Sequence, residues 1–401
     1  MTAPRTSIPP FDPDSPAVKG VLTEIQSLAA KRDAERQSPA DSIRKLRELG
    51  IAAALLPRER GGAGLPLRRL FQFALELAEA DASIAHSFRN HFLVSEVVLA
   101  PDRIDQNPEL LRAVLDGHLI GAASNELGTV APAGEMRVEA KLNPDGDGYR
   151  LSTDKGYSTG NLYVSFLIVN AQLPDGSPAT ARIPVDRAGV EIPDDWDGIG
   201  QRLTGSGSTR FDNVRVERHE IGGPRRSEFR PNTGTFAQLW LTIVIVGSMK
   251  AAVAEAIAFL RQRRRNYYHG LADLPKNESS VQEIVGQVLA NTYVAEAAVR
   301  AAADALEAAW SLGAGTKQEG LAREAVLAAA NAKVVIDPLA LETASLVFEV
   351  GGASATARGS GLDRHWRNIR TLASHNPSSY KRRVLGDHAL NGAELPAYAY
   401  F

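Results

Sequence analysis

Apolar positions along the chain change their period twice. Between residues 15 and 99 they recur at helical spacing: Ile43, Leu46 and Leu49 follow the cap residues of Ser38-Pro-Ala-Asp-Ser, and Gly50 stops that helix. Leu70, Phe73, Leu77, Ala80 and Ile84 form one apolar stripe and predict a second, long helix. From Gly117 to about Gly222 the period falls to two and turn signals multiply. Residues 137–142, 148–152, 164–171, 181–184 and 210–216 read as short strands, punctuated by Asn143-Pro-Asp-Gly-Asp-Gly and Leu173-Pro-Asp-Gly. Beyond Asn232 the helical period returns. Val281, Ile284, Val285, Val288 and Leu289, then Ala295, Ala298, Ala302 and Leu306, make the stripe of a bundle helix, with alanines that allow close approach. Pro338 falls inside a further helical stretch, 321–350, which predicts a kink near Asp337. The first fourteen residues and the tail after Gly392 read as frayed ends. The pattern divides the chain into a helical part at 1–116, a β part at 117–222 and a helical bundle with its tail at 223–401.

One stretch of the β part interrupts its own alternation. In Lys155-Gly-Tyr-Ser-Thr-Gly-Asn-Leu, small polar residues precede Leu162, Val164, Phe166 and Ile168, placing Ser158-Thr159-Gly160 at a strand entry. Two hydroxyls and an unencumbered backbone suit a flat polar ligand, although a plain turn uses the same residues. Gly61-Gly-Ala-Gly-Leu is not followed by Gly-Lys-Ser/Thr, so it reads as a helix-to-helix loop rather than a phosphate cradle.

Composition narrows the chemistry. The 401 residues carry a formal net charge of -2, which gives no electrostatic case for nucleic acid or an anionic membrane as partner. With no cysteine, disulfides, thiolate catalysis and cysteine-ligated metals are excluded, and no metal site is expected. The N-terminal Met-Thr-Ala-Pro-Arg lacks the pattern of an export signal, and the apolar run from Leu239 to Gly247 is too short to span a bilayer, so a cytoplasmic location is expected. No Gly-x-Gly-x-x-Gly unit is present to bind NADH.

Several segments, in order, resemble the acyl-CoA dehydrogenase superfamily. They are Leu49-Gly-Ile with Pro57 and Gly61-Gly-Ala-Gly-Leu, the Leu75-Glu-Leu-Ala-Glu-Ala-Asp-Ala-Ser helix, Ala122-Ala-Ser-Asn-Glu-Leu-Gly, the Tyr157-Ser-Thr-Gly stretch, and Trp196-Asp-Gly-Ile-Gly-Gln-Arg-Leu-Thr-Gly-Ser-Gly with Phe211-Asp-Asn-Val behind it. The resemblance implies an α+β protein with the acyl-CoA dehydrogenase-like fold: an N-terminal α-helical domain, a middle β-barrel or sandwich domain and a C-terminal four-helix bundle, with a flavin between the last two. Dehydrogenases of this family need a glutamate base. Counting on from His365-Trp-Arg-Asn-Ile-Arg puts Asn376 in its place, and an amide takes no proton at neutral pH. The alternative site on the first bundle helix has no acid between Glu228 and Glu255.

The segment Arg364-His-Trp-Arg-Asn, the histidine of His375-Asn-Pro and the closing Leu390-Asn-Gly are similar instead to the flavin-dependent monooxygenase branch of this fold, the branch of dibenzothiophene monooxygenase and sulfur-acquisition enzymes. That resemblance implies a two-component enzyme. Reduced FMN, with FAD as the alternative, comes from a separate flavin reductase and reacts with O2 through a C4a-hydroperoxyflavin to oxygenate a small organic substrate, organosulfur compounds included. It also implies site roles. His375 would be the acid or hydrogen-bond donor, its other reading being a helix cap. Ser158, beside the flavin N5 edge, would be catalytic, holding the hydroperoxide, as well as a cofactor contact; Thr159 and Asn376 would contact the cofactor, and Asn125 the isoalloxazine or the substrate. Arg263, from Arg261-Gln-Arg-Arg-Arg on the first bundle helix, would bind the flavin phosphate, or else belong to a solvated basic face. Gly351-Gly352 would lie against a neighbouring subunit's flavin in a homotetramer, or simply end a helix. His91 is a reserve catalytic candidate, a satisfied core histidine being its other reading. The competing functions are N-hydroxylating or nitroso-forming monooxygenation, acyl-CoA dehydrogenation, and non-catalytic flavin or acyl-CoA binding.

Overall fold

The computed structural model describes residues 8–127, 138–223, 233–312, 315–396 and 401. Six helices come first: α1 (Pro16–Glu35), α2 (Ala40–Glu48), α3 (Leu67–Ala80), α4 (Ala82–Ser87), α5 (Arg89–Val98) and α6 (Pro108–Leu115). The single long helix expected across Leu70 to Ile84 is two helices. Asp81 leaves helical conformation (φ -158, ψ 111) and its carboxylate caps α4, accepting from Ser83 N at 3.0 Å and Ile84 N at 3.3 Å. Its other oxygen takes Arg32 at 2.8 Å, so the break is also a buried ion pair. The N-terminal segment is less frayed than expected, because Phe11 is buried edge-on against Phe73 at 5.0 Å.

Among the described residues, the middle of the chain forms nine strands: β1 (Ile120–Ala123), β2 (Asn125–Glu126), β3 (Asn143–Asp145), β4 (Gly148–Gly156), β5 (Phe166–Gln172), β6 (Pro178–Pro184), β7 (Val190–Glu191), β8 (Thr209–Val216) and β9 (Ile221–Gly222). They make two sheets. One has the order β1-β5-β6-β9, with β1 and β5 parallel; the other runs β2-β4-β8-β7, with β3 added to β4. Leu142, Leu151, Leu167, Val169, Ile183, Phe211, Val214 and Val216 fill the space between the sheets, as alternating inward positions require. Arg137 lies outside the described residues, and the strand expected at 137–142 reduces to a single bridge from Lys141 to Gln172. The Asn143-Pro-Asp segment, expected as a turn, is itself β3. Ser158-Thr159-Gly160 leaves β4 rather than entering β5, since β5 starts only at Phe166. Behind that exit Lys155, wholly buried, is held by Glu126 and by Asn170 O at 3.0 Å. Removing one partner of such a buried pair costs about 3–5 kcal/mol.

Five helices complete the chain: α7 (Thr233–Gln262), α8 (Ser279–Trp310), α9 (Thr316–Gly351), α10 (Asp363–His375) and α11 (Ser378–Asn391). Helix α7 is apolar on every side because α3, α8, α9 and α10 pack around it. Its 30 residues are long and apolar enough to cross a membrane by composition, which the run from Leu239 to Gly247 alone did not suggest; burial in the bundle accounts for that apolarity. Phe236 stacks on Trp310 at 5.3 Å, and Trp240 donates its indole N–H to Ala85 O at 3.0 Å, tying α7 to α8 and α4. Helix α9 runs unbroken through Pro338. The basic run expected on the first bundle helix mostly leaves it, for α7 ends at Gln262 and only Arg261 is helical. In the tail, Phe401 is buried with Val326 and Ala330 and accepts from Lys381 Nζ at 2.9 Å.

Candidate functional site

Four pieces of chain meet at the exit of β4. The first is the 157–160 loop, in which Tyr157 has φ 53 and Gly160 φ 86. A Cβ on Gly160 would stand 2.4 Å from Ser87 O, so only glycine lets this loop press against the end of α4. The second is the 200–207 loop. It is bonded to the first through Gly160 N to Thr204 O (2.8 Å), Ser158 N to Gly207 O (3.1 Å) and the Thr159 and Ser206 hydroxyls (2.8 Å). The third is the α4–α5 turn, from which Asn90 Nδ2 donates to Thr159 O at 2.8 Å. The fourth is the middle and C-terminal half of α10, where Asn368 Oδ1 accepts from Gln201 N at 2.6 Å.

Together they enclose a cavity of about 350 Å³, lined by His86, Gln201 and Ser206 at its inner end, Tyr157, Trp196 and Ile199 near its mouth, and Arg370, Leu372 and His375 from α10. Among the described residues, no carboxylate lines it. Gln201 is 1% exposed and non-glycine, yet holds φ 54, the kind of backbone strain that persists where the surroundings fix a functional position. His86 Nδ1 is 3.2 Å from Gln201 Oε1, so that nitrogen carries the proton and donates. Three buried polar atoms around the cavity have no partner among the described residues: His86 Nε2, Gln201 Nε2 and Ser158 Oγ. Orphaned groups of this kind are costly unless a ligand satisfies them. An acceptor, an amide donor and a hydroxyl fit the polar edge of an isoalloxazine, so the residues present fit a flavin.

The electrostatics are cationic. Burial lowers the pKa of His86 well below the ordinary value, and the neighbouring Arg89 and His375 lower it further, against the hydrogen bond it donates to Gln201. His375 opens onto the cavity at the C-terminal end of α10, but the dense wall around it desolvates it, and Arg89 and Lys333 add to the effect. Both imidazoles are therefore neutral at neutral pH. Of the two roles expected of His375, a neutral ring keeps that of hydrogen-bond donor and is poorly suited to that of acid.

Other sequence candidates fall in three places. Asn125 sits on β2 opposite Gly156, beside the 157–160 loop. Asn376 caps α10 and donates to Gln238 Oε1 on α7 at 3.2 Å, behind the cavity wall. Arg263, Gly351 and Gly352 come together elsewhere: Arg263 Nη1 donates to Gly351 O at 3.0 Å, and a Cβ on Gly352 (φ 63) would meet Tyr267 Oη and Arg263 Nη1 within 3 Å. Gln238 and the end of α7 are separated by roughly 36 Å of helix. His91 is no catalytic reserve. It is 1% exposed, its Nε2 donates to Ala52 O at 2.9 Å, and its Nδ1 accepts from Ile120 N at 3.0 Å, leaving neither nitrogen free. Glu255, the first acid of α7, is bound by Arg364 and by His365 (3.1 Å); burial alone would raise its pKa, but these partners outweigh it and bring it down to about 2, unsuited to a base.

Residues 17–117 match the acyl-CoA dehydrogenase N-terminal domain and residues 239–380 its C-terminal domain. Dibenzothiophene monooxygenase of Rhodococcus erythropolis is 32% identical over 95% of this chain and 94% of its own. The chain belongs to the flavin-dependent monooxygenase branch of the acyl-CoA dehydrogenase family. Among solved structures, methanesulfinate monooxygenase MsuC from Pseudomonas fluorescens is similar with a TM-score of 0.86 and 30% identity, covering 96% of this chain and 100% of that one. TdsC from Paenibacillus sp. A11-2, solved with FMN and indole, is similar with a TM-score of 0.84 and 28% identity, covering 95% and 98%. For this monooxygenase, the cavity has no carboxylate among the described residues, and Asn376, the position expected for a dehydrogenase base, is an amide. The residue that sequence reasoning passed over is His86. It stands five positions before His91 in the same apolar stretch, and only the fold separates a histidine with an unpartnered nitrogen from one fully committed.

Proposed function

We propose that this monooxygenase is the oxygenating half of a two-component system, taking reduced FMN from a separate flavin reductase and using O2 to oxygenate a small organosulfur compound. The observation that carries the reading is a cavity with no carboxylate among the described residues, two neutral histidines and, among the same residues, three unpartnered polar atoms. Bound reduced FMN supplies two electrons, with which one oxygen atom of O2 goes to the substrate and the other to water. In this reading Ser158 Oγ and Gln201 Nε2 hold the polar edge of the ring, with Thr159 and Asn125 fixing the loop and strand beside it. His375 donates a hydrogen bond to the reacting oxygen as a neutral imidazole, and His86 Nε2 accepts a proton or a hydrogen bond at the inner end. Trp196, Ile199 and Leu372 exclude water, which protects the oxygen transfer from loss as hydrogen peroxide.

The division at 1–116, 117–222 and 223–401 puts the cavity where all three parts meet. Arg263, Gly351 and Gly352 serve a second copy's flavin, so the working form is a homotetramer in which neighbours complete each other's sites. The enzyme works in the cytoplasm, where reductase and NADH are at hand.

The experiment couples the purified protein to a flavin reductase with NADH, FMN and ¹⁸O2, and follows organosulfur products by mass spectrometry. One labelled oxygen per product is expected. Direct oxidation of NADH without reductase, or acyl-CoA oxidation with an artificial electron acceptor, would overturn the reading.

A further inference from the structure

Gln201 is fixed through its main chain before its side chain can reach the cavity. Its carbonyl accepts from Thr204 N at 3.2 Å and from Thr204 Oγ1 at 2.8 Å, and its N–H donates to Asn368 Oδ1 at 2.6 Å. The Thr204 bonds close a turn inside the loop. The Asn368 bond crosses to α10, 167 residues further along the chain, and is the anchor that the loop does not supply for itself. A glutamine at φ 54 relaxes to ordinary backbone unless its surroundings prevent it. Asn368 is well placed to do so, because α10 is held independently of the loop. Arg364 and His365, at the start of that helix, bind Glu255 on α7, and Arg367 binds Asp33 on α1 at 2.5 Å. Asn368, Leu372 and His375 then follow at helical spacing on one face of α10, so the anchor and the cavity histidine belong to one wall.

Resting on the flavin-dependent reading above, we infer that Asn368 is a positioning residue of the site. Lying behind the cavity lining at 7% exposure, it sets the backbone of Gln201. The side chain of Gln201 is thereby aimed in two directions: Oε1 takes the Nδ1 proton of His86, and Nε2 faces the cavity. Without an acceptor at position 368 the Gln201 N–H is buried and unmet, and turning the residue to find another acceptor carries the amide away from His86. The tautomer of that imidazole is then no longer fixed. An aspartate at position 368 keeps an acceptor oxygen in the same place; a leucine fills the space without one.

The test compares Asn368→Leu with Asn368→Asp in the full-length protein. Crystal structures should show Gln201 outside the left-handed region and its bond to His86 broken in Asn368→Leu, and both features kept in Asn368→Asp. Titration with oxidised FMN, followed by flavin fluorescence, should give about fivefold weaker binding in Asn368→Leu, the loss of one hydrogen bond, with most of it restored in Asn368→Asp. Adding Asn368→Leu to Gln201→Leu should bring little further loss, because the first acts through the second; a merely structural role would give additive losses. If Asn368→Leu does not fold, Asn368→Ser, whose hydroxyl is too short to reach the Gln201 N–H, takes its place. Additive losses, or a Gln201 that keeps its backbone without the acceptor, would overturn the inference and leave the proposed activity standing. An unaltered protein that binds no FMN, with Gln201 still released in Asn368→Leu, would remove the flavin reading and leave the hold of Asn368 on Gln201 in place.

Discussion

His86 Nδ1 and Gln201 Oε1 lie 3.2 Å apart across the junction of the helical and β parts, and the remaining side-chain nitrogen of each is buried without a partner. The pair fixes the tautomer of the imidazole, so that its Nε2 presents a lone pair to the cavity. His86→Ala should lower product formed per reduced FMN on the order of a hundredfold, the usual contribution of a positioned acid or base. Gln201→Leu, which removes the orienting acceptor but leaves the ring, should cost about tenfold. Flavin affinity, read by fluorescence quenching, should stay within a few-fold in His86→Ala. Full coupling in that variant would remove His86 from the chemistry.

His375 and Asn376 set the two enzyme classes of this fold against each other at neighbouring positions. Asn376 is engaged with Gln238 on α7, whereas His375 faces the cavity. Asn376→Glu should therefore create no appreciable acyl-CoA dehydrogenation, assayed with a dye acceptor. His375→Ala should depress product on the order of a hundredfold while O2 uptake continues, the difference appearing as hydrogen peroxide. Ser158→Ala should raise peroxide by a smaller factor, since it removes one hydrogen bond.

Much of this arrangement was legible in the sequence, and what was not has local causes. The period change from helix to strand and back located the three parts because each buries one face, and the Tyr157-Ser-Thr-Gly stretch announced itself by breaking its own alternation. The break at Asp81 was hidden because the apolar stripe continues across it from Leu77 to Ile84, with only a cap residue to mark it. Gln201 gave no sign, since left-handed backbone at a glutamine is imposed by its surroundings, here the bond from its N–H to Asn368. Arg263 was placed on a helix by its neighbours' spacing, yet α7 ends one residue earlier, which turns it toward Gly351.

The separation of Arg263 from the cavity predicts complementation between subunits. Arg263→Ala and His375→Ala each damage a different half of a composite site if the flavin is shared between copies. Arg263→Ala alone should weaken FMN binding about tenfold, the loss of a charge-assisted bond. Unfolding and refolding an equal mixture of the two variants should restore part of the activity, because some sites then draw both intact halves from different chains. Activity no higher than the mean of the separate variants would place Arg263 outside the neighbour's site.

The buried histidines make stability depend on pH in a definite direction. Burial lowers the pKa of His91 from 6.5 to about 4, with Arg47 adding to the effect and the bond to Ala52 O opposing it. Between pH 6.5 and 4 the unfolded chain therefore holds a proton that the folded chain excludes. The stabilisation is fully present above 6.5 and is lost as the pH falls toward 4. For His91 alone the loss is on the order of 3 kcal/mol, and His86 and His365, also lowered by burial, act in the same sense. His91→Gln isolates the contribution. A glutamine amide can donate to Ala52 O and accept from Ile120 N, as the imidazole does, but does not titrate. Urea denaturation at pH 7 and at pH 4.5 should show a smaller fall in stability for His91→Gln than for the unaltered protein. An equal fall in both would mean that His91 is protonated in the folded state without penalty, and that one of its two backbone bonds does not form in solution.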